Sequence, residues 1–575
     1  MNVMINSNEK SNMLLSKNSL SAFCWSIVGN LLGFLFLTQL AVVLLFAFNM
    51  KVSPFATPAA LVLAFAGGYW LAKREGMKIK YIFASLTISL ITISISLFAA
   101  NAFYDMSWDG LWYHQTAVYQ MLHGWNPLRD PLHEFTPHLR DWLCFYAKGP
   151  WYIALALFET THNIEMAKAA ALMVFAATFF MGFALLIDLG LKKRNAAFIS
   201  ALIALNPVIT CELVSYLVDG LMISFLFISI AAMVKWFRKP APLAILIAIM
   251  SAVLCINSKF TGLVYLCFFV AAGGIYILIK DRKLIWKYLI IQSVSIFAGI
   301  LILGWNPYIT NTICRGNPFY PMLGSSAYPS LSAMGQNPIE LYETPPNMRG
   351  KNRFIRFTYA IFGRPGAQPC FPGQNAALMW PFEIGWKDFS IYYFHDVRIS
   401  GFGPLFSGAL IFTLFLFVLL LFHRDANRLF LILSCSTIVL SVLISTHTWW
   451  ARYGPQLWML PVVVIIAGFT ITNSRVIFWS TRILASILFV NAVLITIVHF
   501  QWEFEATKTT NEQLSLLKEF NDVQVDFQYF REPFSERLHN AGVTFHITRH
   551  LQCDNPIELM SVAPGYPGAV RACIK

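Results

Sequence analysis

Charged residues are scarce in this sequence, and their scarcity excludes an ordinary soluble protein. Only 12% of the 575 residues are Asp, Glu, Lys or Arg, whereas 57% are hydrophobic. Typical soluble domains carry about a quarter charged residues. The apolar residues form runs of roughly 17–25, enough to cross about 30 Å of hydrocarbon as a helix. The sequence therefore predicts a polytopic membrane protein.

Motifs for nucleotide binding and for zinc-dependent proteolysis are also lacking. There is no Walker-type loop, no Rossmann glycine pattern and no HExxH motif in the chain. Chemistry driven by a cytoplasmic nucleotide is therefore not expected. An enzyme on the outer side of a membrane has no supply of ATP or sugar nucleotides, so its donor should arrive activated on a membrane lipid.

The lysines and arginines lie in short clusters rather than in one patch. The clusters occupy residues 73–80, 192–194, 235–239, 280–287, 424–428 and 475–482. They fall at alternate ends of the apolar runs, which is the positive-inside pattern of cytoplasmic loops. The net charge of +13 therefore reports topology and does not indicate a nucleic-acid partner.

The apolar runs predict about thirteen membrane crossings. They lie at residues 23–48, 55–73, 80–100, 164–189, 196–214, 217–236, 241–257, 261–280, 285–304, 404–422, 429–446, 455–473 and 481–499. The first run is too long for a cleavable signal and lacks a small-residue cleavage site. The basic clusters predict a cytoplasmic N-terminal tail, 1–22, and an external C-terminus.

The membrane domain is predicted to cover 23–499, and three large segments are predicted to lie on the external side of the membrane. Two are the loops 101–163 and 305–403, and the third is the tail, 500–575. The predicted elements of the tail are a strand at 523–527, a helix at 531–541 and a strand at 543–548. We therefore expect a small external α/β appendage at the C-terminus.

Ten cysteines show no spacing typical of a metal site. Cys314 and Cys370 fall in one external loop, and Cys553 and Cys573 fall in the external tail. Each pair is a candidate disulfide if the compartment is oxidising.

The first external loop contains two short apolar helices. Ser107 is placed to cap a helix from Asp109 to about Leu122. A second stretch, Trp151–Phe158, is too short to span a membrane. Both are rich in Trp and Tyr, so we expect helices at the membrane interface, where they would form a floor for a lipid-linked substrate.

Two acids, Asp105 and Asp109, lie immediately outside a predicted span. A carboxylate at the mouth of an apolar cavity suits a general base, because partial desolvation raises its proton affinity. Taken singly, each acid is better explained as a solvated loop or helix-cap residue. Their clustering with Trp and His favours function.

Three ionisable residues lie in short external turns near membrane depth. Asp219, Lys259 and Arg452 each follow or precede an apolar run. A charge there costs about 2.5–3.5 kcal/mol on insertion scales, so such groups tend to pair or to bind a charged ligand. Lys259 and Arg452 also break the positive-inside trend, which favours an anionic ligand such as phosphate. Snorkelling to lipid headgroups is the alternative.

The loop 305–403 is rich in arginine. Arg315 stands near its start and His395 near its end. Arg349, Arg353 and Arg356 have the spacing of one helical face. These arginines would bind either a phosphate or anionic lipid headgroups.

Four stretches, taken in order, carry a family resemblance. They are Ser107-Trp-Asp-Gly-Leu-Trp-Tyr-His with Gly124-Trp-Asn-Pro, Gly149-Pro-Trp-Tyr leading to Asp188-Leu-Gly-Leu-Lys, Asn257-Ser-Lys-Phe-Thr-Gly, and Asn306-Pro-Tyr with Gly316-Asn-Pro-Phe-Tyr-Pro. Across roughly residues 80–460 the chain resembles the GT-C superfamily of membrane glycosyltransferases, in the broad group of protein O-mannosyltransferases and lipid A aminoarabinose transferases. It departs from that pattern in having Asp105 and Asp109 in place of an adjacent Asp-Glu pair.

The resemblance implies a fold, a reaction and a place. The fold would be an all-α polytopic membrane protein with interfacial external helices. The reaction would be inverting transfer of a sugar from a polyprenyl-phosphate donor to an envelope glycan, lipid or protein acceptor. The protein would lie among the lipids of a bacterial cytoplasmic (inner) membrane and serve lipopolysaccharide or a related polymer.

The resemblance also implies residue roles. Asp109 would be the general base, with Asp105 as the alternative base. Lys259, Arg452 and Arg315 would bind the donor phosphate, while Trp108, Tyr113, His114, Asp219 and His395 would contact the sugar or the acceptor. Some branches of the family use a divalent metal, although no ligand cluster in the sequence demands one.

Three other functions compete with this hypothesis. A transporter or flippase for lipid-linked glycans should show internal repeats and broken helices, and no convincing repeat is present. A glycan polymerase or ligase outside GT-C would also use a lipid-linked donor and an arginine-rich external loop. A membrane scaffold would not need Trp, His and Asp concentrated in one loop.

Overall fold

Long apolar helices dominate the structure. The computed structural model describes residues 7–330, 340, 343–365, 375–471, 473–562 and 569–574, with the side chains of 7–18, 137 and 138 outside the description. Seven described helices are long and apolar enough to cross a membrane: Ser19–Ala47, Ile79–Asn101, Ile164–Asp188, Asp219–Arg238, Phe260–Lys280, Arg282–Ile302 and Arg475–Lys518. The predicted helical fold is confirmed, and the length and composition of these seven helices support a polytopic membrane protein.

The α-helices of the described residues are numbered here in chain order. They are α1 Ser7–Ala47, α2 Ala56–Arg74, α3 Ile79–Asn101, α4 Gln115–Leu122, α5 Pro137–Phe145, α6 Gly149–Thr161, α7 Ile164–Ala167, α8 Ala170–Asp188, α9 Lys193–Ala204, α10 Pro207–Cys211, α11 Asp219–Arg238, α12 Pro242–Ser258, α13 Phe260–Lys280, α14 Ile285–Phe297, α15 Thr310–Arg315, α16 Arg353–Phe362, α17 Trp386–Ser390, α18 Phe406–Phe422, α19 Arg428–Leu443, α20 Met459–Thr470, α21 Arg475–Lys518 and α22 Arg531–Asn540.

The structure does not reproduce every predicted crossing as one long helix. Four apolar helices are only 10–17 residues long: Pro242–Ser258, Phe406–Phe422, Arg428–Leu443 and Pro455–Thr470. The predicted span 196–214 is divided, because α9 ends at Ala204 and α10 begins at Pro207. Asn206 caps α10 by accepting a hydrogen bond from the backbone of Val208, and Pro207 is favoured at a first helical position. The count of thirteen crossings stays a prediction.

The helices arrange the polar residues at two ends of a bundle. Asp219 begins α11, and Lys259 directly precedes α13. The two residues form an ion pair at one end of the bundle. At the far ends of α8 and α11, Asp188 accepts from Lys235 at 2.5 Å and from Trp25 at 3.1 Å. The predicted external segments thus meet one another, and so do the predicted cytoplasmic helix ends. Which end faces the cytoplasm stays a prediction.

The last helix, α21, has 44 residues and runs past the predicted domain boundary at residue 500. At 1.5 Å per residue it is about 66 Å long, roughly twice the thickness of the hydrocarbon core. Its first half packs against α18 and α20, while Leu514 and Leu517 near its end are buried against the C-terminal tail. One rigid helix therefore connects the bundle with the tail.

The tail forms a small four-stranded sheet with the order β2-β1-β4-β3. The strands are β1 Val523–Phe527, β2 Phe545–Ile547, β3 Ile557–Glu558 and β4 Val570–Ile574. β1 pairs in parallel with β2 across α22, and β4 pairs antiparallel with β1 and with β3. The predicted strand, helix and strand are confirmed within three residues, and β3 and β4 were not predicted.

One of the candidate disulfides is present in the tail. Cys553 and Cys573 are bonded to each other. Cys370 lies outside the described residues, so its pairing with Cys314 stays a prediction.

Candidate active site

An arginine between two carboxylates lies at the centre of the candidate site. Arg452 Nη1 donates to Asp109 Oδ2 at 2.9 Å, and its Nε lies 3.1 Å from Asp396 Oδ1 without hydrogen-bond alignment. The Arg452 side chain is only 7% exposed and that of Asp109 is 18% exposed. Burial alone would lower the pKa of Arg452, but the charges of Asp396 and Asp109 raise it well above its usual value. Arg452 is therefore a permanent cation.

A second ion pair lies beside the first. Lys259 Nζ is 2.5 Å from Asp219 Oδ1, and both side chains are buried to nine-tenths or more. The Lys259 ammonium also lies 4.6 Å from the ring centroid of Tyr453, the neighbour of Arg452. The two cations predicted to bind a phosphate therefore share one site.

The local backbone positions Arg452 by pairing two loops. Arg452 lies in a single 3₁₀ turn, Ala451–Tyr453, after two buried tryptophans. The Ala451 and Arg452 amides donate to the carbonyls of Arg398 and Val397. This pairing places Asp396, which also accepts from Trp450 Nε1 at 2.6 Å, beside the guanidinium.

A further arginine closes the charged cluster. Arg398 donates to Asp396 at 3.0 Å and to Glu343 at 2.6 Å, and its guanidinium lies 4.0 Å from the ring centroid of Trp450. Cations and carboxylates alternate through the cluster, so each charge is compensated by a neighbour, as buried charges require.

The structure separates the two acids of the first loop. Asp105 is fully buried, and its carboxylate accepts from the Ser107 amide and hydroxyl and from Gln115 Nε2. These bonds hold the turn before the first loop helix, where Ser107 accepts from Gly110 as the predicted cap. Burial raises the pKa of Asp105, with smaller and partly opposing contributions from Lys168, His395 and Glu165. Asp105 is therefore enclosed by protein groups, whereas the Asp109 side chain is partly exposed.

Aromatic side chains line the side of the cluster toward the first loop. Tyr113 stacks on Trp142 with ring centroids 5.5 Å apart, and Tyr146 contacts both rings. Trp151 Nε1 donates to His114 Nδ1 at 2.5 Å. Burial, together with the charges of Lys259 and Arg452, lowers the pKa of His114 well below its usual value, so the ring is neutral.

The predicted interfacial helices are mostly buried in protein. α6 packs against α1 and α4, and Trp151 through Leu157 are all at most 3% exposed. The helix α5, which was not predicted, begins at Pro137 and brings Trp142 to this aromatic group.

Three predicted site residues lie apart from the charged cluster. Trp108 packs against Tyr529 and Phe530 of the tail. Arg315 lies over the rings of Phe145, Tyr320 and Tyr328, and in the described part of the chain none of its contacts is with Asp109, Lys259 or Arg452. His395 faces Glu503 of α21. Their positions in the fold therefore indicate roles other than binding the same ligand as Asp109, Lys259 and Arg452.

The other arginines of the large loop bind protein groups. Arg356 forms a two-pronged pair with Glu340, Arg353 donates to the Leu443 carbonyl, and Arg349 donates to the Thr344 carbonyl. Arg356 is buried, so it is not placed to bind lipid headgroups.

Sequence reasoning missed several residues of the site. Asp396 and Arg398 were visible only as charged residues of the large loop and were not assigned to the site, and Tyr146 and Tyr453 were interpreted as ordinary aromatic residues. Lys148, 1% exposed, donates to two backbone carbonyls and to Asn306 Oδ1 at 2.7 Å beneath the aromatic group. Its place after Tyr146 and before the Gly149-Pro150 helix start was the only available signal.

The site as a whole combines a reachable carboxylate with two cations at one end of a helical membrane bundle. Such a set can accept a proton at Asp109 and hold an anion between Lys259 and Arg452. No known protein family matches the sequence, and no curated protein is significantly similar to it.

Proposed function

We propose that the chain is a membrane glycosyltransferase of the GT-C kind. It would transfer a sugar from a polyprenyl-phosphate donor to an envelope glycan, lipid or protein acceptor on the outer face of the cytoplasmic membrane, with inversion at the anomeric carbon. The proposal rests on the motif resemblance and on one geometric observation, the convergence of Asp109, Lys259 and Arg452 at one site.

That convergence is informative because the three residues are far apart in the chain. Asp109 comes from the first loop, Lys259 from the turn between α12 and α13, and Arg452 from the turn after α19. Burying ionised groups costs several kcal/mol each after relaxation, so a purely structural end of a bundle would favour apolar contacts. A function that needs a base and cations together explains the arrangement.

In the proposed reaction, Asp109 accepts the proton of the acceptor hydroxyl. The hydroxyl oxygen then attacks the anomeric carbon, and the bond from that carbon to the phosphate oxygen breaks. The electron pair leaves with the polyprenyl phosphate. Lys259 and Arg452 stabilise the charge that develops on this leaving group.

Both cations are paired with carboxylates in the present arrangement. A phosphate would therefore have to share Arg452 with Asp109 and Lys259 with Asp219. Weakening the bond between Asp109 and Arg452 on donor binding would also free the carboxylate to act as a base. Donor binding and activation of the base are thereby coupled.

The test is transfer from a radiolabelled polyprenyl-phosphate sugar by the purified protein in lipid, with an envelope extract as acceptor. Asp109→Asn keeps the shape of the side chain but removes the base. We expect transfer to fall by about 10²–10⁴-fold, the usual contribution of general acid–base catalysis.

Asp130→Asn is the matched control, since Asp130 is an exposed carboxylate of the same loop. It should transfer like the unchanged protein. Full transfer by a folded Asp109→Asn protein would rule out the assigned base, and the absence of any transfer by unchanged protein across several lipid-linked sugars would count against the reaction. Translocation of the donor without transfer would instead indicate a flippase.

A further inference from the structure

Two histidines and a glutamate meet in a buried cluster beside the candidate active site. His499 and Glu503 lie one turn apart on α21, and His395 comes from the loop before α18. One ligand atom from each residue lies within 4.8 Å of the others. The three side chains are at most 2% exposed.

The polar atoms of this cluster lack partners. His395 Nε2, His499 Nε2 and both Glu503 carboxylate oxygens have no hydrogen-bond partner among the described residues. His395 Nε2 lies 3.1 Å and His499 Nε2 lies 3.9 Å from Glu503 Oε1, yet neither contact has hydrogen-bond alignment. Leaving a buried polar group unsatisfied costs about 1–3 kcal/mol, so four such atoms in one cluster indicate a ligand.

The geometry of His499 supports a metal ion as that ligand. Its Nδ1 lies 3.0 Å from the carbonyl oxygen of Tyr392, which can only accept a hydrogen bond. Nδ1 therefore carries the proton, and Nε2 presents a lone pair to Glu503. A second nitrogen fixed by a backbone carbonyl is the usual support of a metal-binding histidine.

A proton on His395 is the competing explanation. It would neutralise Glu503 and satisfy one of the two carboxylate oxygens. The lone pair of His499 and the other carboxylate oxygen would still be unpartnered, because one proton joins only two atoms. A cation at the centre of the cluster would engage both imidazole nitrogens and the Glu503 carboxylate at once.

We propose that His395, His499 and Glu503 bind a divalent transition-metal ion, with Zn²⁺ as the best fit. Two imidazoles and a carboxylate are a common zinc ligand set. Tetrahedral ligands at about 2.0–2.1 Å from zinc stand about 3.3 Å apart, close to the spacing between His395 and Glu503. Glu503 would occupy one corner of the tetrahedron, and a water molecule would complete the coordination, as in zinc sites with three protein ligands.

The nearest other charges to the cluster balance each other. Asp105 contributes negative charge near His395, and Lys168 contributes positive charge near His395 and Glu503. Glu503 is then the carboxylate that compensates a divalent ion.

The site would connect α21 with the loop that carries Asp396. His395 is the residue before Asp396, and Asp396 contacts Arg452. The metal would thus be a positioning element for the charged cluster. This inference stands apart from the proposed transfer reaction, because metal binding can be measured without any donor or acceptor.

The test is metal content of the purified full-length protein. The protein is stripped with a chelator, reloaded with Zn²⁺, dialysed and analysed by elemental mass spectrometry. We expect about one equivalent of zinc, and at least a tenfold loss of zinc in His499→Gln and Glu503→Gln. His447→Gln, which replaces a half-buried histidine outside the cluster, should keep the metal.

A second measurement guards against variants that fail to fold. Co²⁺ added to the stripped, unchanged protein should give the visible absorption of a tetrahedral nitrogen and oxygen site, and Zn²⁺ should abolish it and raise the unfolding temperature. The proposal is overturned if the reloaded protein holds no zinc above background. It is equally overturned if folded cluster variants bind as much zinc as His447→Gln.

Discussion

At the scale of single residues, buried charges are stabilised by neighbouring groups of opposite charge rather than by water. Lys148 differs from Lys259 and Arg452 in this respect, because its ammonium contacts two carbonyls and the Asn306 amide oxygen and, among the described residues, no carboxylate. Burial lowers the pKa of Lys148 to about 7. A nearby negative charge would raise the pKa again, because it stabilises the charged form of the lysine. Lys148 is therefore the residue at which protonation should affect stability near neutral pH.

We expect Lys148 to make the protein more stable as the pH rises from 7 to about 10. In that range the unfolded chain, with an ordinary lysine pKa, binds more protons than the folded one. The free energy of unfolding then increases with pH, by at most about 1.4 kcal/mol per unit from this group. Thermal unfolding in detergent at several pH values should show this slope.

Lys148→Met should flatten the slope, because it removes the titrating group. Lys51→Met removes an exposed lysine and should leave the slope unchanged. Identical slopes in the unchanged protein and Lys148→Met would show that Lys148 keeps an ordinary pKa in the folded state.

At the scale of elements, a few polar side chains fix one helix against the next. Asn491, in the middle of α21 and 1% exposed, donates to the Phe402 carbonyl at 2.7 Å and accepts from the Leu405 amide at 3.1 Å. These bonds hold the chain where it enters α18. Gly403, with φ +106°, lies against the Asn491 amide, and a Cβ there would come within 2.2 Å of Oδ1.

Asn491→Leu should therefore destabilise the protein substantially. It leaves one amide and one carbonyl buried without a partner, at a cost of about 1–3 kcal/mol each. The unfolding temperature measured in detergent should fall accordingly. Val490→Leu alters the neighbouring, exposed position of the same helix and should change it little. An unfolding temperature that stays the same in Asn491→Leu would mean that α18 is held by apolar packing alone.

The sequence predicted helices better than it predicted their ends and contacts. Runs such as 80–100 and 217–236 are visible because hydrocarbon requires continuous apolar residues. The break at Asn206-Pro207 was missed within an apolar run, although Asn before Pro is a helix-start signal. The continuation of α21 to Lys518 was missed because its polar half has the composition of a loop or a soluble helix.

The candidate site was predicted in part for a similar reason. Lys259 and Arg452 were recognisable because a cation in a short turn contradicts the charge pattern around it. Asp396, His499 and Glu503 could not be recognised, since their significance lies in contacts between segments that are distant along the chain. Ion pairs between such segments leave no spacing that a single sequence displays.

At the scale of the whole molecule, the C-terminal tail covers the first loop. Arg537 of α22 donates to Glu165 and to the Asp105 carbonyl, and Trp108 and Leu111 pack in the core of the tail. The tail and the first loop must therefore lie on the same side of any membrane. The basic turn after α13 lies at the other end, because α13 leaves the site at Phe260 and rises about 30 Å over its 21 residues.

This two-ended structure makes orientation a test of the entire proposal. A donor carried on a lipid is needed only if the site faces away from cytoplasmic nucleotides, which is what the basic clusters predict. In protein whose Cys267, Cys314 and Cys370 are replaced by serine, Asp130→Cys should react with a membrane-impermeant maleimide in intact cells. Arg282→Cys, at the opposite end, should react only after permeabilisation. The reverse pattern would place Asp109 and Arg452 in contact with the cytoplasm, where a soluble nucleotide sugar would be the simpler donor and the lipid-phosphate role of Lys259 and Arg452 would lose its basis.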